Sequence, residues 1–185
     1  MSEPTSESEA TVYYLGRPLR VEAVHSVWRR VALAGGVLRV SLPAERSAAR
    51  VDALVEAWFR EQASDLLPAF FRDVAARLRD HLANARIPVE PRSAACPAGL
   101  RLTVRAMRTR WGSCSHDGHV TLSSALIHAP RRLIDYVIVH ELCHLVRLDH
   151  SRAFYFNLAR CMPDWRERRR ELHGRAWVAK KRGSA

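Results

Sequence analysis

The chain reads as an α+β protein, with a mixed or antiparallel sheet packed on one buried helix and a β segment and long helices ahead of it. Three observations point there. Residues 11–44 show strand alternation broken by turn residues, and residues 45–86 show apolar stripes at helical spacing. Residues 98–174 then give a strand, a hairpin and an apolar helix in that order. Strands grouped apart from helices mark α+β rather than a βαβ repeat.

The first strand is Val12 to Leu15, with a turn at Gly16-Arg17-Pro18 and a second strand from Leu19 to Val24. Arg30 to Ala34 and Val37 to Leu42 flank Gly35-Gly36, a hairpin signal because two glycines accept the positive φ of a tight turn. This segment is expected to be a scaffold or a lid, and His25 to be structural or solvated.

In the helical stretch, Leu54, Val55, Trp58 and Phe59 form one stripe. Phe70, Phe71, Val74, Leu78 and Leu82 form another. Pro68 lacks an N–H and is expected to kink or divide the stretch, with Asp65 as N-cap of the second part. Arg72, Arg77, Arg79 and Asp80 are expected on a solvated face.

Leu100, Leu102, Val104 and Ala106 alternate with polar neighbours as in a half-buried strand. Asp117-Gly118 is a hairpin turn leading into a strand over Val120 to Ser124. Pro130 then stands near N1 of a helix through Leu133, Ile134, Val137, Ile138, Val139, Leu142, Leu145 and Val146. Being apolar nearly all round, that helix is expected to be buried. Ser151 is placed to cap a helix through Phe154, Phe156, Leu158 and Met162. Asp164 with Glu167 reads as a capping-box variant opening a helix that ends at Gly174.

The buried helix carries His140, Glu141 and His144, and His150 follows. Positions i and i+4 share a helix face, so His140 and His144 can hold one ion. His150 completes three ligands if the helix ends soon after His144 and the chain turns back. Three protein ligands and one open position describe a catalytic zinc, one Zn2+ per chain, with Glu141 beside it as general base. Two histidines and a glutamate in an apolar helix are costly unless paired or metal-bound.

Arg110-Trp111-Gly112-Ser113-Cys114, then Ile134 to Leu145, then Asp149-His150-Ser151 and Pro163-Asp164 resemble the YgjP-like metallopeptidases. These are small zincins related to the WLM and SprT-like groups. The resemblance implies a zincin-like fold, one zinc held by His140, His144 and His150, Glu141 as base, and hydrolysis of a peptide or protein substrate. Metzincins share the ligand spacing but have Gly where this chain has Arg147. Asp149 is therefore the expected left-handed residue of the turn.

Around the site, the Arg110 to Cys114 block or the Val120 to Ser123 strand offers an edge for an extended substrate. Arg108 and Arg110 are candidates for binding a carboxylate, a phosphate or an oxyanion. Trp111, Ser113 and Tyr155 complete the candidate substrate contacts. Cys96, Cys114, Cys143 and Cys161 lack C-x-x-C spacing and read as free thiols, with Cys143 a small buried residue.

The 185 residues suffice for one domain over 11–178, between a disordered start at 1–10 and a basic tail at 179–185. No apolar run approaches the ~18–20 residues of a membrane span, and no secretory signal is present, so the cytoplasm is the expected compartment. Net charge is +11, and from Ser151 onward ten Lys or Arg face three Asp or Glu. Arg166, Arg168, Arg169, Arg170 and Arg175, with Lys180, Lys181 and Arg182, make a basic surface that could touch nucleotides or nucleic acid. Three function classes follow: a zinc peptidase, a metal-dependent nucleoside triphosphate or phosphoanhydride hydrolase, and a DNA-associated protease or non-enzymatic zinc or nucleic-acid binding module. The sequence sets no oligomeric state.

Overall fold

A computed structural model describes residues 11–43, 47–82 and 100–174. The expected disordered start, both ends of the 45–86 segment, Cys96, Arg175 and the basic tail lie outside the described residues.

Four strands open the chain: β1 (Thr11–Tyr14), β2 (Arg17–His25), β3 (Arg30–Ala34) and β4 (Val37–Leu42). They form a sheet in the order β1-β2-β4-β3, with β2 parallel to β4 and the other pairs antiparallel. The first turn is Leu15-Gly16, since Tyr14 pairs with Arg17, and Pro18 lies inside β2 instead of the turn. Both turn residues have positive φ, 49° and 79°, as do Gly35 and Gly36 in the second hairpin. Two-residue loops need that conformation to match strand twist. Leu15 tolerates it because its N–H donates to the Ile127 carbonyl at 2.9 Å and its side chain packs on the core.

This docking ties the N-terminal sheet to the start of the helix that carries His140 and His144. The Gly16 N–H donates to the His128 carbonyl at 3.0 Å, and His128 Nδ1 donates to the Tyr13 carbonyl at 2.6 Å. A Cβ on Gly16 would meet Pro130 atoms at 2.6–2.9 Å, and Pro130 caps that helix. A Gly16→Ala substitution adds this clash to a positive φ, so a loss of about 1–3 kcal/mol is expected in chemical denaturation.

Helix α1 (Ala48–Arg77) contains Pro68 and is not divided by it, so Asp65 caps nothing. The reason is burial on both sides: Ala63, Leu67 and Phe71 are wholly buried and Val74 nearly so. An interior proline costs ~3 kcal/mol, whereas each large buried apolar side chain contributes ~1.5–3 kcal/mol. Tertiary packing therefore overrides the local break. A single turn, α2 (Arg79–Leu82), follows. Arg77, expected on a solvated face, reaches Asp73 and Asp135 at 3.4 and 3.3 Å.

The second sheet comprises β5 (Arg101–Arg105), β6 (Gly112–Cys114) and β7 (His119–Ser123), in the order β5-β7-β6. β5 runs parallel to β7 and β6 antiparallel to it. β7 is central and buried from Val120 to Ser123, with both edges already paired, so it cannot receive a substrate strand. That possibility is left to β6 alone.

After a 3-10 turn at Ser124–His128 come α3 (Arg131–His144), α4 (Arg152–Cys161) and α5 (Trp165–Gly174). α3 is the floor of the site, buried over most of its length and packed against α1, β6, α4 and α5. Arg131 pins its start by donating to Asp135 at 2.7 Å and Asp73 at 2.5 Å. Ser151 is the N-cap residue of α4 but makes no hydroxyl cap. Phe156 faces solvent while Phe154 and Leu158 are buried. Asp164 spends its carboxylate on Arg168 Nε, at 2.8 Å. The architecture is α+β, with two small mixed sheets of which the second packs on α3, and no helix among the described residues is long and apolar enough to cross a membrane.

Candidate metal centre

Helix α3 ends at His144, and the chain then tightens. The amides of Leu145, Val146 and Arg147 bond back to Leu142 and Cys143 at 3.0–3.1 Å. Asp149 does not take the left-handed conformation expected of it; Leu15 is the one non-glycine residue with positive φ among the described residues. Asp149 acts through its carboxylate, which accepts from Arg147 Nε at 3.1 Å and the Ser151 amide at 3.4 Å. Side-chain hydrogen bonds thus do the turning that a left-handed residue would do.

The turn returns His150 to α3. Ring nitrogens of His140, His144 and His150 all lie within 4.8 Å of one another. His140 Nε2 and His150 Nε2 are 3.0 Å apart. A tetrahedral ion with bonds of ~2.0–2.1 Å to nitrogen separates its ligand atoms by about 3.3 Å, so this spacing suits one metal. His144 Nδ1 donates to the Arg147 carbonyl at 3.1 Å, which leaves Nε2 as its acceptor nitrogen. Burial pushes His140 down to about 3, with His144 and His150 adding repulsion. Burial also lowers His144. Both are neutral at neutral pH, as ligands must be. The donor set therefore fits zinc.

Phe154 organises the three rings. It is fully buried, stacks on His144 at 4.6 Å, and meets His140 and His150 edge-on at 5.0 and 4.9 Å. Glu141 is 5% exposed. Burial raises its carboxyl to about 8, and the charge of Arg110 pulls the other way. Gly112 on β6 lies against it: a Cβ there would stand 2.7 Å from Glu141 Oε1 and 2.9 Å from its Cγ. Only a residue without a side chain lets the edge strand approach this closely. Gly112→Ala should displace the carboxylate by several tenths of an ångström and lower kcat about 10- to 100-fold with metal content unchanged, read by steady-state kinetics and elemental analysis.

These groups line a cleft of about 720 Å³ with Arg110, Trp111, Ser113, Cys114, Tyr136, Tyr155, Arg169 and His173. Arg110, Trp111, Ser113 and Tyr155 thus meet the three histidines and Glu141 as the sequence suggests. Arg108 is exposed and is not among the residues that line the cleft. Tyr155 also stacks on Trp165 at 5.0 Å, so it both packs and faces the cleft. Tyr136, whose hydroxyl burial pushes up to about 12, sits one turn before His140. That i−4 spacing could have revealed it. Gly112, Phe154 and His173 were not legible as site residues, and from sequence Arg169 reads only as part of the C-terminal basic surface. Among them only Gly112, inside the Arg110 to Cys114 block, had a local signal. Cys143 is fully buried and hydrogen-bonded to Cys161, a contact that together with burial pushes its thiol up.

Comparison with known proteins gives a family and distant solved structures, two metallopeptidase zymogens among them. Residues 1–175 match the family described as YgjP-like, metallopeptidase domain. The metallopeptidase zymogen abylysin of Pyrococcus abyssi is 20% identical, with 57% of this chain and 94% of that one covered and a TM-score of 0.45. The zymogen jannalysin of Methanocaldococcus jannaschii is 14% identical, with 58% and 94% covered and a TM-score of 0.43. No curated protein matches. With the family spanning nearly its whole length, the chain belongs to the YgjP-like metallopeptidases.

Proposed function

We propose that the protein is a zinc-dependent metallopeptidase that hydrolyses peptide bonds with Glu141 as general base. One observation carries the reading: three imidazoles converge from α3 and the following turn, beside a buried carboxyl, on the floor of an open cleft. His140, His144 and His150 would hold one zinc, which when bound supplies Lewis acidity towards a carbonyl and acidifies water. Glu141 then takes the proton of the attacking water on its carboxylate and hands it to the leaving amine nitrogen. Gly112 lets that carboxylate sit against the strand, and Phe154 holds the imidazoles in register. The free edge of β6 is where an extended substrate would add by main-chain hydrogen bonds. Cys143 and Cys161, side by side without a disulfide, support a cytoplasmic setting.

A second reading keeps the metal and changes the substrate to a nucleoside triphosphate, which Arg110 and Arg169 in the cleft would favour. Direct nucleic-acid binding draws less support. Arg166 lies over the Trp165 ring, Arg168 bonds Asp164 and the Arg132 carbonyl, and Arg169 lines the cleft, so these residues do not form one free stripe.

The deciding experiment measures zinc content, then follows an unfolded-peptide mixture by mass spectrometry and nucleoside triphosphates by phosphate release, before and after chelation. Peptide cleavage that disappears on chelation and returns with zinc is expected. Phosphate release without peptide cleavage would overturn the peptidase reading.

A further inference from the structure

Helix α5 presents Trp165, Arg169, Leu172 and His173 on one face, at i, i+4, i+7 and i+8. Trp165 and Leu172 are buried, while Arg169 and His173 line the cleft. The neighbouring arginines are engaged within the protein: Arg166 with the Trp165 ring, Arg168 with Asp164 and the Arg132 carbonyl. Arg169 takes part in none of the ion pairs among the described residues. Neither does Arg110, which lines the cleft from the segment entering β6. Arg110 acts electrostatically on Glu141, and Arg169 on His140 and Tyr136, so each cation lies near the reacting centre from a different wall. The one carboxylate lining the cleft, among the described residues, is Glu141.

Two guanidinium groups lining an open cleft, with no ion pair among the described residues, favour an anionic ligand. A planar fork of N–H donors matches a carboxylate with two parallel hydrogen bonds. Resting on the peptidase reading, we propose that Arg169, with Arg110, selects peptides bearing a carboxylate close to the scissile bond, either an Asp or Glu side chain or the C-terminal carboxylate. Arg169 is then a specificity-determining residue, and α5 is the specificity wall of the site.

The test has a turnover arm and a binding arm. In the first, wild type, Arg169→Gln, Arg110→Gln and, as control, Arg170→Gln act on peptide sets matched except for Glu against Gln, and free against amidated C-termini. Wild type and Arg170→Gln should cut the acidic or free-carboxylate set with kcat/KM about 10- to 100-fold higher, the size expected for a charge-assisted hydrogen bond. Arg169→Gln should remove that preference, with the loss carried by a higher KM on the acidic or free-carboxylate set. Equal cutting of the two sets by wild type would overturn the proposal, as would a preference that survives Arg169→Gln. In the second arm, fluorescence anisotropy follows the same peptides on zinc-loaded Glu141→Gln protein. Tighter binding of the acidic peptides by about 10-fold, lost on adding Arg169→Gln, sustains carboxylate recognition even if wild type cuts nothing. In that case the peptidase reading fails by itself. Equal peptide binding together with tight, Arg169-dependent binding of a nucleoside triphosphate assigns the cations to phosphate and overturns the proposal.

Discussion

Glu141→Gln protein is expected to retain one zinc and its fold while turnover falls by about 10²–10⁴-fold, the usual contribution of a positioned general base. The amide is nearly isosteric and cannot accept the proton. Metal content by elemental analysis and kcat on a cleaved peptide decide the matter: unchanged turnover with zinc in place would remove Glu141 from the base role. The same substitution should alter the stability of the metal-free protein in a pH-dependent way. The folded carboxyl titrates near 8 because it is buried, whereas an unfolded Glu titrates near ~4.3. A pKa raised by folding means full stability below the unfolded value and loss as pH rises through the folded one. Glu141→Gln should therefore gain on wild type between about pH 4.3 and pH 8, by an amount on the order of 5 kcal/mol at most. Urea titrations of the two metal-free proteins at pH 4.5 and pH 8 measure it. The His140 and His144 contributions have the opposite sign, being lost as pH falls, but they are common to both proteins.

Phe154→Ala should cost about 3–5 kcal/mol of stability, because a fully buried ring is removed and the cavity it leaves is only partly refilled. This side chain also differs from other core residues in what it touches. It stacks on one imidazole of the metal set and meets the other two edge-on. Its loss frees three rotamers at once, so zinc affinity should fall at least about 10-fold, as when groups that orient ligands are removed. Chelator competition reads the affinity and chemical denaturation the stability. Phe154→Leu, which fills most of the volume, should recover stability more than affinity. Phe71→Leu, buried in α1 away from the cleft, should lower stability with affinity intact. Equal affinity losses in the Phe154 and Phe71 variants would mean that Phe154 is ordinary core.

The contrast between Pro68 and Gly112 shows where sequence reading stops. Pro68 carries a strong local signal, and it is overridden because Ala63, Leu67 and Phe71 bury the helix on both sides of it. Gly112 carries a weak local signal, and it matters because a residue 29 positions later lies against it. Asp149 belongs with Pro68: its propensity for the left-handed region was a sound prior, but its carboxylate found two donors and made that conformation unnecessary.

By itself the sequence determined the α+β order of elements, the hairpins at Gly35-Gly36 and Asp117-Gly118, and the buried helix that carries His140, Glu141 and His144. Each depends on periodicity or spacing within one element, and such patterns act over a few residues. Only the tertiary structure decided that β6 rather than β7 is the open edge, that Phe154 braces the three imidazoles, and that Arg169 faces the cleft while Arg108 does not. Those outcomes depend on which elements pack together, because burial and contact are properties of the assembled fold and not of any one segment.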